Sequence, residues 1–469
     1  MASTSAPAST PTPASALAPA LHSSPAPAPA SSSNASLSAP APERVFGWWD
    51  HTALWFSLGV GLLVVQVGAY LVPAMGTQGA ALAIVVGSIV GAGLLGWTAR
   101  IACQHGLSSA GLMQATFGSG FARLPILLNM VQLVGWTTFE LVVMRDGTQA
   151  VVAQVLGFRL EGVWGHAAAL LPWGLVLVAL LAGSMTKLVR RVVSHVALPL
   201  VVLSLLWLSA QFAARIDNPV AFWHRAGTQE MGWLSAMDLV VAMPASWLPL
   251  VADYARHGIH ARGAQGGTWL GYAIANVWCY ALGFLVASVA ATDAGIVHTL
   301  LLAQGGLLAL SLILIDELDN AYGDVYSCAV SGSSLVSRWP LSRWAVGLGA
   351  VCVALAFVLP MHALEPFLLL LSSVFVPLYG VILGSLGWQR TTLALDTVGK
   401  LAVDLVGKVG KVDWGAAGVW LGGVACYHAI ANAAPQYGAT LPTLALTIGA
   451  TWAVRAMRAT QARRPAGCA

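Results

Sequence analysis

The chain has 469 residues, of which 58% are hydrophobic and only 9% charged, with a formal net charge of +4. Soluble domains carry about 25% charged residues, so this composition leaves too little polar surface for water and requires a membrane as solvent. The small positive balance follows a topological pattern and calls for no nucleic acid, while six cysteines without paired spacing argue against a disulfide framework or a metal array.

The first 42 residues are rich in Ala, Ser, Pro and Thr with no charge before Glu43, the composition of a disordered tail. They lack the charged start and apolar stretch of a signal peptide. Apolar runs close to the ~20 residues needed to cross a bilayer as helix then recur. They lie at Ala53 to Val72, Ala80 to Ala99, Pro125 to Val151, Ala168 to Gly183, His195 to Phe212, Leu234 to Ala255, Gly267 to Ala291, Thr299 to Val330, Ala345 to Leu359, Leu364 to Leu386, Gly415 to Ala434 and Thr440 to Val454. The runs are continuous rather than alternating, which favours helices over a β-barrel. The reading is an all-α integral membrane protein of about twelve transmembrane helices.

Lysine and arginine test that count, because cytoplasmic connections hold the positive charge. The N-terminal side and every second connection carry Arg44; Arg100 and Arg123; Lys187, Arg190 and Arg191; Arg256 and Arg262; Arg338 and Arg343; Arg390, Lys400, Lys408 and Lys411; and Arg455, Arg458, Arg463 and Arg464. The opposite side holds Arg159, Arg215 and Arg225, and Arg145 falls in or near span three. Losing one span would scramble the alternation, so both termini are expected in the cytoplasm.

Irregular features fall in corresponding places. Span one contains Gly59, Gly61 and Gly68 and ends at Pro73; span six contains Pro244 and Pro249. A proline in a helix interior removes a backbone hydrogen bond and crowds the preceding turn, so span six is expected to kink or unwind near its centre. Spans one to five would then repeat, inverted, as six to ten. The expected divisions are a tail at 1–45, a first five-helix repeat at 46–213, a second at 214–389, a cytoplasmic loop with two extra helices at 390–457, and a tail at 458–469.

Spans three and eight hold the largest concentration of intramembrane charge. At 100° per residue Asp316, Glu317, Asn320, Gly323, Asp324 and Ser327 share one stripe of span eight, with Asp319 beside it. Each acid facing lipid would cost at least ~2.5 kcal/mol, so the group must face a cavity, a cation or one another. Like charges this close cannot all be ionised, which is the condition for holding a transferable proton. On span three Trp136 and Glu140 lie four residues apart, an aromatic plate beside a hydrogen-bond acceptor, with Arg145 and Asp146 as a gating pair further out. Gln66 and Asp238 are weaker members, Asp238 being expected in outer-facing water. No P-loop, metal-spaced histidine cluster or Ser, His, Asp set is present, so neither an enzyme nor a cofactor is expected, and His105, His195 and His428 stand alone.

The stretches LNMVQLVGWT ending in Trp136 and Thr137, SWLPLVADYAR from Ser246 to Arg256 and DVYSCAVS from Asp324 to Ser331 resemble the nucleobase:cation symporter-1 family, and within it bacterial hydroxymethylpyrimidine permeases of thiamine-precursor salvage. The resemblance runs from about Phe46 to Leu386. It implies a five-plus-five inverted repeat of the leucine-transporter kind plus two extra helices, and cation-driven uptake of a heterocycle across the bacterial inner membrane. It places Trp136 as the stacking residue, Glu140 where the family often has a glutamine, Asn320 and Asp324 on two asparagines of the eighth helix, and Met243 or Pro244 near a sixth-helix platform from which Trp247 is displaced. Asp319 falls where sodium-coupled members have a threonine, leaving H+ and Na+ open as coupling ions. The substrate-binding set is therefore Trp136, Glu140, Asp324, Gln66, Met243 and Asn320, and the coupling set Asp319, Asp316 and Glu317. The expected partners are a small heterocyclic substrate and membrane lipid, with no nucleic acid and no obligate protein. Cytosine or purine permeation by the same fold remains open, as does a cation channel, although a channel needs no paired interruptions in spans one and six. An amino-acid transporter would need donors for an α-carboxylate, which this acidic stripe does not supply.

Overall fold

In the computed structural model the described residues are 42–183, 195–196, 198–289, 296–301, 303–359, 363–387 and 411–462. Among the described residues seven helices are long and apolar enough to cross a membrane: Thr77–His105, Arg123–Leu156, Gly162–Leu181, Trp233–Ala255, Ala261–Val289, Leu341–Val358 and Leu364–Leu386. The pair Trp48–Ser57 and Leu62–Met75 forms another, bent by 64° at its break. Leu198–Ala213, Gly306–Leu335, Trp414–Ala433 and Thr440–Ala462 occupy the remaining apolar runs, so the twelve expected spans each have a helix. Gly306–Leu335 has the length of a span but carries the four acids, the reason that apolarity alone does not reveal it.

These helices sort by packing into two groups. Spans one, two, six and seven pack on one another, as do spans three, four, eight and nine, so each group draws two helices from each half of the chain. Spans eleven and twelve pack on span ten. The tightest approach joins spans one and seven: a Cβ on Gly283 would collide with the Val65 carbonyl, and one on Gly68 with the Tyr280 backbone. Neither glycine can carry a side chain at this spacing. Gly283→Ala is expected to cost about 1–3 kcal/mol through overpacking, read as a lower unfolding temperature in detergent.

Several boundaries differ from expectation. Residues 42–46 belong to the fold rather than the tail: the Val45 and Phe46 N–H groups donate to the His257 carbonyl and Ile259 N–H donates to Phe46. His257 Nδ1 bonds the Glu43 carbonyl at 2.9 Å, and burial holds this imidazole below its usual pKa. Residues 1–41, the expected disordered part, lie outside the described residues, as do Lys187, Arg190, Arg191, Arg390, Lys400, Lys408, Arg463 and Arg464. The expected eighth run splits into Ile296–Leu301 and Gly306–Leu335, separated by Gly305 at φ +70°. Span twelve continues to Ala462, past the start assigned to the C-terminal tail, and Arg458 forms a two-bond ion pair with Asp413.

Span six does not unwind. It runs as Trp233–Ser246 and Leu248–Ala255 with only a minor break at Trp247, where the backbone stays right-handed helical. Gly91 on span two lets the Pro244 ring pack against bare backbone, so the proline is accommodated rather than disruptive. Asp238 is also corrected: it is buried, and its two oxygens accept from the Ala439 and Thr440 N–H groups at 3.0 and 2.7 Å. A carboxylate there caps the positive end of span twelve.

Candidate functional site

The site is built on the break in span one. A helix end leaves backbone donors and acceptors unpaired, and inside a membrane no bulk water satisfies them. Span eight supplies the partners. Glu317 Oε1 accepts from the Leu62 N–H at 2.5 Å, Asn320 Nδ2 donates to the Val60 carbonyl at 3.0 Å, and Ser57 Oγ donates to Asp316 Oδ1 at 2.8 Å. The Glu317 carboxylate sits at the start of Leu62–Met75, where the helix dipole favours negative charge. Gly61 makes room for it, since a Cβ there would lie 3.0 Å from Glu317 Oε1.

Around this clamp the carboxylates converge. Glu140 of span three, 2% exposed, lies within electrostatic reach of Asp324, Glu317 and Asp319, and Asp316 within reach of Asp319 and Glu317. Five acceptor atoms, Glu140 Oε2, Asp316 Oδ2, Asp319 Oδ2, Asn320 Oδ1 and Asp324 Oδ2, are buried without a hydrogen-bond partner among the described residues. The ion pairs seen among those residues are Arg145–Asp146, Arg159–Glu161 and Arg458–Asp413, none of which involves these acids. Buried acceptors without donors are costly, so a site of this kind selects a ligand rich in N–H groups or positive charge.

Aromatic side chains lie within about one helical turn of Glu140 along span three. The Trp136 ring meets Phe367 of span ten edge-on at 5.2 Å and 74°, and Phe139 lies 6.2 Å away. Phe367 is a neighbour of Trp136 that sequence reasoning missed, because only packing brings Leu364–Leu386 against span three. Met243 is buried on span six and Gln66 is half-buried on the second half of span one. Trp247 instead packs edge-on to Trp55 of span one at 6.3 Å and 88°, joining spans one and six. Arg145 bonds Asp146 at 2.7 Å and also donates to the Ala356 carbonyl at 2.9 Å, which ties span three to span nine within one helix group. Four of the cysteines, Cys103, Cys279, Cys328 and Cys352, are buried and free.

Residues 39–454 match the family model described as permeases for cytosine/purines, uracil, thiamine and allantoin. The chain belongs to this family. It is a membrane-embedded helical transporter rather than an enzyme, and its family couples movement of small heterocycles to a cation, with no cofactor evident. Among solved structures it is similar to Mhp1, a nucleobase-cation-symport-1 family transporter in a closed conformation with bromovinylhydantoin bound, at TM-score 0.73 and 16% identity, covering 92% of this chain and 97% of that one. Mhp1 in an inward-facing conformation matches at TM-score 0.68 and 16% identity over 90% and 92% of the two chains. MhsT in complex with L-phenylalanine matches at TM-score 0.57 and 12% identity over 87% and 99%. At these identities the permease shares their fold. No curated protein sequence matches it.

Proposed function

We propose that this permease imports an aminopyrimidine of the hydroxymethylpyrimidine or cytosine kind across the bacterial inner membrane, both termini cytoplasmic, driven by a proton or sodium gradient. The observation that carries this reading is the set of five buried acceptor atoms on spans three and eight without donors among the described residues. An aminopyrimidine answers them, because its exocyclic amine and protonatable ring nitrogen are donors. Its ring stacks on Trp136, its amine donates to Asp324 and its ring nitrogen to Glu140, with Asn320, Gln66 and Met243 completing the walls. Asp319 and Asp316 take the coupling cation beside the break in span one, while Glu317 and Asn320 hold that break in shape.

The arrangement couples by electrostatics. Substrate donors and the cation neutralise the same crowded acids, so each lowers the cost of burying the other, and by linkage the coupling is reciprocal. Uptake by cells overexpressing the permease, with hydroxymethylpyrimidine, cytosine and uracil in competition, is the test. Hydroxymethylpyrimidine or cytosine is expected to compete more strongly than uracil, whose carbonyls face acceptor oxygens. Asp324→Ala is expected to weaken binding by roughly 10- to 150-fold, the loss of a hydrogen bond to a charged group of about 1.5–3 kcal/mol. If no pyrimidine competes, the substrate assignment is wrong; a purine that competes best moves it to the purine branch of the same chemistry.

A further inference from the structure

Where span six ends at Ala255 and span eight runs toward Leu335, a second polar network lies outside the substrate site. Asp253 of span six is fully buried, and its carboxylate bridges three elements: Oδ1 accepts from the N–H of Ser109, at the start of the short helix Ser109–Phe117, at 3.1 Å, and Oδ2 accepts from the Ser327 hydroxyl of span eight at 2.5 Å. Below it Arg256 reaches the Tyr326 hydroxyl of span eight at 3.5 Å, and the Tyr254 and Tyr326 rings meet at 5.5 Å. Above it Gln132 of span three donates to the Ser246 carbonyl of span six at 3.3 Å. Apart from the Ser109 bond, which ties span six to the short helix, each of these contacts joins the group of spans one, two, six and seven to the group of spans three, four, eight and nine.

We propose that Asp253 is a positioning residue for transport: through Ser327 it latches the two helix groups together at the cytoplasmic end and sets how often the permease opens inward. The proposal rests on the transporter reading and on the cytoplasmic assignment of that end, but not on which heterocycle is carried. A carboxylate is suited to the role. It satisfies the short helix with one oxygen and the neighbouring group with the other, so the Ser327 bond can break while the Ser109 bond keeps the acid buried and partnered. Hydrogen bonds to charged groups are worth more than neutral ones, so removing this one shifts the balance between closed and inward-open populations by about tenfold. Ser327 lies three residues beyond Asp324 on the same helical stripe, which ties the latch to the substrate acid through one rigid turn.

The test uses the full chain in proteoliposomes, with Ser331→Cys as reporter one turn beyond Ser327, where the parent hydroxyl accepts from Asn129 of span three at 3.2 Å, and labelling by a membrane-impermeant maleimide from each face, relative to the same protein without the reporter. Ser327→Ala leaves the Ser109 cap intact and is expected to raise reporter labelling from the cytoplasmic face about tenfold and to weaken apparent substrate affinity at the outer face. Ser327→Thr, which keeps the hydroxyl, is expected to restore both. Asp253→Asn is expected to act in the same direction as Ser327→Ala. Labelling at the parental rate in Ser327→Ala overturns the latch, and so does a rise of equal size from both faces, which would report general loosening. Because the readout is accessibility, failure of the heterocycle assignment leaves this result intact, while a loss of substrate competition with normal labelling tests that assignment alone.

Discussion

Asp319→Asn is expected to abolish concentrative uptake while leaving substrate binding and exchange measurable. The change keeps the side chain's size but removes the carboxylate that lies among Asp316, Glu140 and Ser57 with one oxygen buried and unpartnered. Moving one charge through 100 mV is worth about 2.3 kcal/mol, so losing the coupled cation forfeits roughly a 50-fold accumulation for each 100 mV of membrane potential. Accumulation of labelled substrate in energised vesicles, set against counterflow in vesicles without a gradient, separates the two activities. If the cation is a proton, the acids must be loaded from the outer side, so uptake is expected to fall as external pH is raised, read across roughly pH 5 to 8. Sodium-dependent uptake indifferent to pH over that window assigns the site to sodium. A variant that still concentrates substrate normally removes Asp319 from the mechanism.

Glu317→Ala is expected to damage binding and stability together, for a different reason. It leaves the Leu62 N–H without the Glu317 acceptor at the start of a half-helix, a penalty of about 1–3 kcal/mol, and empties the space that Gly61 opens for the side chain. Glu317→Gln retains an oxygen for Leu62 and is expected to keep substrate affinity and the pH profile close to those of the parent. Isothermal binding and thermal unfolding in detergent, run on both variants, give the comparison. A Glu317→Gln protein that folds normally but loses the pH or sodium dependence of uptake would make Glu317 a titrating member of the coupling set rather than the clamp of span one.

The contrast between these two neighbours shows what periodicity could and could not reveal. Asp316, Glu317, Asp319 and Asp324 were recognisable as a buried stripe because lipid excludes such charge from an exposed face. Their division of labour was invisible, since Glu317 meets Leu62 and Asn320 meets Val60 across more than 250 positions of chain. The prolines of span six pointed to a break, which the helix makes at Trp247, but not to its staying helical there. Pro244 signals a local defect, but Gly91 on span two supplies the bare backbone that absorbs it, and only the packed structure pairs the two. The glycines around the span-one break were visible, yet a glycine permits a break without requiring one; the side chains of span eight stabilise it.

By itself the amino-acid sequence determined the solvent, the class and the number of spans, because hydropathy and the placement of lysine and arginine are set by each segment's own transfer energy. It also marked Asp316, Glu317, Asp324 and Glu140 as buried, since lipid excludes such charge from an exposed face. Only the tertiary structure decided that Phe367 meets Trp136, that Asp238 caps span twelve rather than facing water, that residues 43–46 pair with 257–259, and that Asp253 joins Ser109 to Ser327. These are contacts between polar or aromatic groups far apart along the chain, and their partners are chosen by how helices cross in space, which no local period encodes.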